Sequence, residues 1–120
     1  MAADHREGMY AIAFSTNLGA GYGVVILENG RFRGGDSRMA YSGFYSLSGD
    51  MLSADIQVST HTDNPKLTSS FGLETFTLAL HGNFAEDPAT LIGISPDAVK
   101  VDFRATLRKI HEPERAPELR

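Results

Sequence analysis

Turn residues recur every eight to twelve positions along this chain of 120 residues, and the segments between them alternate large apolar groups with small or polar ones. Such spacing leaves no room for crossover helices. Parallel strands need about a dozen linking residues, so neighbours in sequence must pair antiparallel. A run of short strands of this kind ends as a sandwich or a barrel. Closure removes exposed edges, and the glycines inside the segments, Gly34, Gly43, Gly82 and Gly93, suit a wall that bends or lets backbones approach closely. The expected fold is all-β: an eight-stranded antiparallel up-and-down barrel with at most one short helix.

The segments can be assigned in turn. Residues 8–15 set Tyr10, Ile12 and Phe14 on one face and Met9, Ala11 and Ala13 on the other. Residues 22–28 are rich in valine and isoleucine, and Asn29-Gly30 supplies the two positive φ angles of a type I′ turn into the returning segment 31–36. Further strands are expected over 40–47, 50–60, 73–84, 89–94 and 99–110, with one short helical turn over 65–70. The barrel domain then occupies residues 8–111. Residues 1–7 and 112–120 are expected to be flexible ends; the latter holds two prolines and five charges around a single leucine.

The Asn29-Gly30 turn also fixes a register. Glu28 should oppose Arg31, Leu27 Phe32, Ile26 Arg33 and Val25 Gly34. Val25, Leu27 and Phe32 then point inward and join Tyr10, Ile12 and Phe14 as candidate lumen residues. Val24 and Ile26 point outward among charges, as a candidate dimer face or as isolated exposed aliphatics. An eight-stranded barrel is just wide enough to be filled by its side chains or to hold one small ligand.

Composition excludes several classes of function. The chain has no cysteine, so disulfides, thiolate nucleophiles and zinc sites built on sulfur are ruled out. Its net charge of -4 argues against an unspecific grip on nucleic acid or an anionic membrane. No apolar run is long enough for export or for a spanning helix, so a cytoplasmic protein without membrane insertion is expected.

Few residues suggest chemistry. Gly19-Ala-Gly21-Tyr-Gly23 resembles a phosphate loop, but Val24 stands where the third glycine is needed, and a strand rather than a helix follows. A glycine-rich hairpin connection is the simpler reading. His5 and His111 lie near the chain ends, and His61 and His81 are separated by roughly 26 Å if their strands pair, so no metal site is expected. Lys100, Arg104 and Arg108 share a face interrupted by Asp102, the pattern of a solvated strand rather than a nucleic-acid site. Asp36 has no partner in sequence for acid–base work and is expected to fix a corner by accepting amide hydrogen bonds. Neither an enzyme nor a cofactor is expected.

The stretch Gly34-Gly35-Asp36, with Tyr41-Ser-Gly43, the opening Gly8-Met-Tyr-Ala-Ile-Ala-Phe14, Phe71-Gly72 and the run from Leu78 to Gly82, resembles the small bacterial family that includes the negative regulators of type III secretion known as GrlR. The resemblance implies a lipocalin-like barrel with a hydrophobic cavity, a homodimer, and action by holding a transcriptional activator rather than by catalysis or by reading DNA. It places the activator contact at Leu47, Ser48, Gly49 and Asp50, where the family's acidic run is reduced to Asp50. The alternative is a carrier or sensor of a small apolar molecule in the lumen.

Overall fold

The protein is described by a computed structural model covering residues 6–17, 19–62, 75–97 and 101–111. Eight strands run in sequence order around one closed antiparallel barrel: β1 (Gly8–Thr16), β2 (Gly19–Glu28), β3 (Arg31–Gly35), β4 (Met39–Ser48), β5 (Met51–Thr60), β6 (Thr75–Asn83), β7 (Ala89–Ile94) and β8 (Phe103–His111). β1 pairs with both β2 and β8, which closes the wall. The predicted helical turn at 65–70, the ends 1–5 and 112–120, and Lys100 lie outside the described residues.

Asn29 and Gly30 take φ angles of 53° and 75°, and the register across them is the one their turn type dictates, from Glu28 opposite Arg31 to Val25 opposite Gly34. Period-two alternation then assigns every strand an inside and an outside. Val25, Leu27, Phe32, Leu52, Leu91 and Leu107 are fully buried, and each such side chain stabilises the fold by about 1.5–3 kcal/mol relative to exposure. The interior is apolar, whereas the outer face carries Arg33, Asp55 and Arg104. That is the reverse of a membrane-spanning barrel with a polar lumen. Among the described residues no helix is long and apolar enough to cross a membrane.

Most strand ends shift by one to three residues from the sequence expectation, and three of the differences have a clear local reason. Gly19 to Gly21, expected in the connection before the strand at 22–28, are part of that strand: Gly19 to Gly23 pair with Thr16 through Ile12, because β1 needs a partner along its whole length. β8 starts at Phe103, since the amide of Asp102 donates to the Asn17 side chain, at 3.2 Å, instead of to a neighbouring strand. Arg6 and Glu7, expected within a flexible end, are anchored. Glu7 is buried, and its carboxylate accepts the Asn29 amide at 2.6 Å.

Candidate functional site

The two ends of the barrel are built differently. At one end lie the β2–β3, β4–β5 and β6–β7 turns, tied to one another through the main chain: Tyr45 N donates to Gly30 O at 2.8 Å and Phe84 N to Asp50 O at 2.6 Å. Arg6 donates to Gly49 O at 2.8 Å and pairs with the Asp50 carboxylate. Inside, Tyr10 meets Phe84 with ring centroids 5.4 Å apart above Leu107, and these buried side chains shut the apolar interior at this end; outside them lies a more open, more polar hollow of about 590 Å³, edged by Arg6, Asp50, Glu86, Asp87 and Lys109.

The other end is open. β6 and β7 pair only from Ala79–Ile94 to Asn83–Thr90, and beyond that point the Thr77 amide turns to the Asp97 carboxylate, at 2.9 Å, in place of a strand partner. The seam loosens there. A cavity of about 220 Å³ enters the barrel from this side, floored by Phe32, Ile56 and Leu80 and walled by Ile12, Phe14, Val58, Phe76, Leu78 and Phe103. Phe14 on β1 and Phe103 on the adjoining β8 stack side by side on its wall, 5.8 Å between centroids.

A polar corner stands on one side of the mouth. Asp36, just past β3, accepts the amides of Arg38 and Met39 at 2.8 and 2.7 Å and the hydroxyl of Tyr41. Its carbonyl accepts from His61 Nε2 at 2.8 Å. Burial pushes the Tyr41 phenol well above its usual value, and the hydrogen bond and negative charge of Asp36 push it the same way. Glycines make room for these groups. A Cβ at Gly21 would lie 2.6 Å from the Phe14 ring, and one at Gly23 would lie 3.1 Å from the Tyr41 hydroxyl. Ser37 and Arg38 complete this side of the lining.

The residues singled out from sequence separate into distinct places. Tyr10, Ile12, Val25, Leu27 and Phe32 are buried in the barrel and Phe14 is half-buried. Of these, Ile12, Phe14 and Phe32 line the cavity, whereas Tyr10, Val25 and Leu27 pack elsewhere in the core. Gly34 and Gly35 lie in β3 and Tyr41 and Gly43 in β4; a Cβ at Gly34 would lie 2.0 Å from Val24 O, so the two backbones are held in close approach. Leu47 packs against the core, while Ser48, Gly49 and Asp50 are exposed at the shut end. Val24 and Ile26 are on the outer wall, 41% and 38% exposed.

Sequence reasoning missed Ile56, Val58, Phe76, Leu78, Leu80 and Phe103 as cavity lining, although their alternation already marked an inner face. It also missed Tyr22, which stands 81% exposed outside. Among the described residues, no group of three or more His, Asp or Glu side chains is placed to hold a metal ion. No family model matches the chain, and no curated protein matches it.

Proposed function

We propose that this protein is a non-enzymatic binding protein that takes a small apolar molecule into the open half of its barrel. The observation that carries the reading is the cavity of about 220 Å³, reached from one end and walled by aliphatic and aromatic side chains. An apolar cavity of about 150 Å³ stays dry and takes up benzene. This one has room for a single ring with a short substituent, or for a short alkyl chain. The corner of Ser37, Arg38 and Tyr41 supplies hydrogen-bonding groups on one side only, so a ligand with one polar end would enter oriented.

The polar groups at the mouth favour holding over catalysis. Asp36 is engaged by two amides and a phenol, and Tyr41 is held protonated, the opposite of a base poised near neutral pH. Native mass spectrometry of freshly purified protein tests the reading. One small-molecule adduct, released by organic solvent, is expected, with a rise in Tm when octanol is added back. Bare protein whose Tm does not respond to octanol or toluene would refute it.

A second reading follows the GrlR resemblance: a regulator that works by contact with another protein, as a homodimer or with an activator. The outer wall around Tyr22, Val24 and Ile26 supports contact of this kind, since it exposes contiguous apolar groups. The turn at Asp50 supports it less, because its one carboxylate is already paired with Arg6.

A further inference from the structure

The outer faces of three adjacent strands form a trough. Its floor is β1, whose outward residues Met9, Ala11 and Ala13 include two of the smallest side chains available. Across the β1–β2 ladder, Ile26 opposes Met9, Val24 opposes Ala11 and Tyr22 opposes Ala13, so one side of the trough is continuous and apolar. Across the β1–β8 ladder, Arg108 opposes Ala11, Thr106 opposes Ala13 and Arg104 opposes Ser15, so the other side is cationic. Arg33, opposite Ile26 on β3, adds a further cation behind the apolar side.

These arginines are not spent on the barrel itself. Arg33, Arg104 and Arg108 are exposed, and among the described residues none of the three makes an ion pair or a side-chain hydrogen bond; Glu28 is the one acid within these four strands, and Asp102 stands just before β8, two residues from Arg104. A chain with net charge -4 therefore presents a wall that is locally apolar and positive. Two copies of this wall set face to face would bring the arginines against arginines or against the apolar side, which disfavours a second copy as its occupant.

The dimensions select among other occupants. β2 and β8 are two strand spacings apart, about 10 Å, close to the 10–12 Å diameter of an α-helix with its side chains. The stretch from Met9 to Ala13 is about 14 Å long, the length of roughly nine helical residues. A flat bilayer would meet a convex barrel wall along a strip and leave one side of the trough unfilled.

We propose that the trough on β1 docks an acidic amphipathic helix of a partner protein, with the helix's apolar stripe against Ala11, Val24 and Ile26 and its carboxylates against Arg104 and Arg108. The inference rests on the contact reading and is independent of the lumen. Helix-in-groove recognition of this type draws specificity from the charged flank and affinity from the apolar floor.

A labelled twelve-residue helical peptide, with leucines at i, i+3, i+4 and i+7 and glutamates on one flank, tests it by fluorescence anisotropy against the full chain. Saturable binding that weakens with salt is expected. The double variant Arg104→Glu/Arg108→Glu should lose about tenfold or more in affinity. Val24→Ser should weaken binding without changing its salt dependence. Equal binding by a peptide with lysines in place of the glutamates would overturn the acidic class. Full binding by the double variant would overturn the site. Cosedimentation with phosphatidylglycerol vesicles in the absence of peptide binding would assign the wall to a membrane instead. A concentration-dependent dimer that excludes the peptide would assign it to a second copy. The adduct expected in native mass spectrometry should be unaffected by any of these variants, so a failure here is distinct from a failure of the lumen reading.

Discussion

The shut end and the open end of this barrel are made from the same eight strands, yet they use their side chains in opposite ways. At the shut end Leu27, Leu52 and Leu107 are fully buried, and the turns are tied by Glu7, Arg6 and main-chain bonds. At the open end larger aromatic and aliphatic groups stand around a space they do not fill, and the hydrogen bonds of Asp36 build a corner at the mouth rather than a plug. The difference separates a region that packs from the region where the proposed ligand would sit. Dense packing holds the fold at one end, and the other end keeps apolar surface available.

Core truncation should separate the ends most clearly. Leu52→Ala, at the shut end, is expected to cost about 3–5 kcal/mol in urea unfolding, because its neighbours are fixed and leave a void. Leu78→Ala, on the cavity wall, is expected to cost less, about 2 kcal/mol, since its methyl groups already face open space on one side. Equal losses would break the comparison.

Tyr41→Phe comes next. It takes a donor from the half-buried Asp36 corner and should cost about 1–3 kcal/mol at neutral pH. It also carries a pH signature. The folded-state phenol ionises above its ordinary value, so its contribution is complete below about pH 10 and is lost as pH rises beyond that. The gap between wild type and Tyr41→Phe should therefore narrow above about pH 10, which urea midpoints at neutral and alkaline pH will measure.

How far these two ends are legible in the sequence depends on distance along the chain. The Asn29-Gly30 turn is local chemistry, and those two residues alone dictate the pairing from Glu28 opposite Arg31 through Val25 opposite Gly34. Alternation likewise tells the inner face of β1 from its outer face. The division into a filled and an open half is not legible, because it depends on volumes contributed by residues far apart: Phe14 with Phe103, Tyr41 with Gly23, Ile56 with Leu78. The pairing of Arg6 with Asp50 is equally hidden, 44 positions apart. Summed charge conceals the rest, since a net value does not record that Arg104 and Arg108 stand beside Ala11 and Ala13.

Two smaller effects sharpen the account of the shut end. Glu7→Gln replaces a buried charged acceptor of the Asn29 amide by a neutral one, and should lower stability by about 1 kcal/mol. Asp50→Asn breaks a pair whose carboxylate is half exposed and screened by water, so a change within about 1 kcal/mol is expected. A larger loss from Asp50→Asn than from Glu7→Gln would mean that the turn at Gly49, rather than the buried Glu7 anchor, secures this end.

If the proposed function holds, the open half of the barrel should take up the apolar molecule and the packed interior of the shut half should not. Methyl-resolved NMR during titration with octanol tests it directly. Progressive, saturating shifts are expected at Ile12, Ile56, Val58, Leu78 and Leu80, with Leu27, Leu52 and Leu107 unmoved. Shifts confined to the outer wall at Val24, Ile26 and Ile92, or no saturation at all, would contradict it.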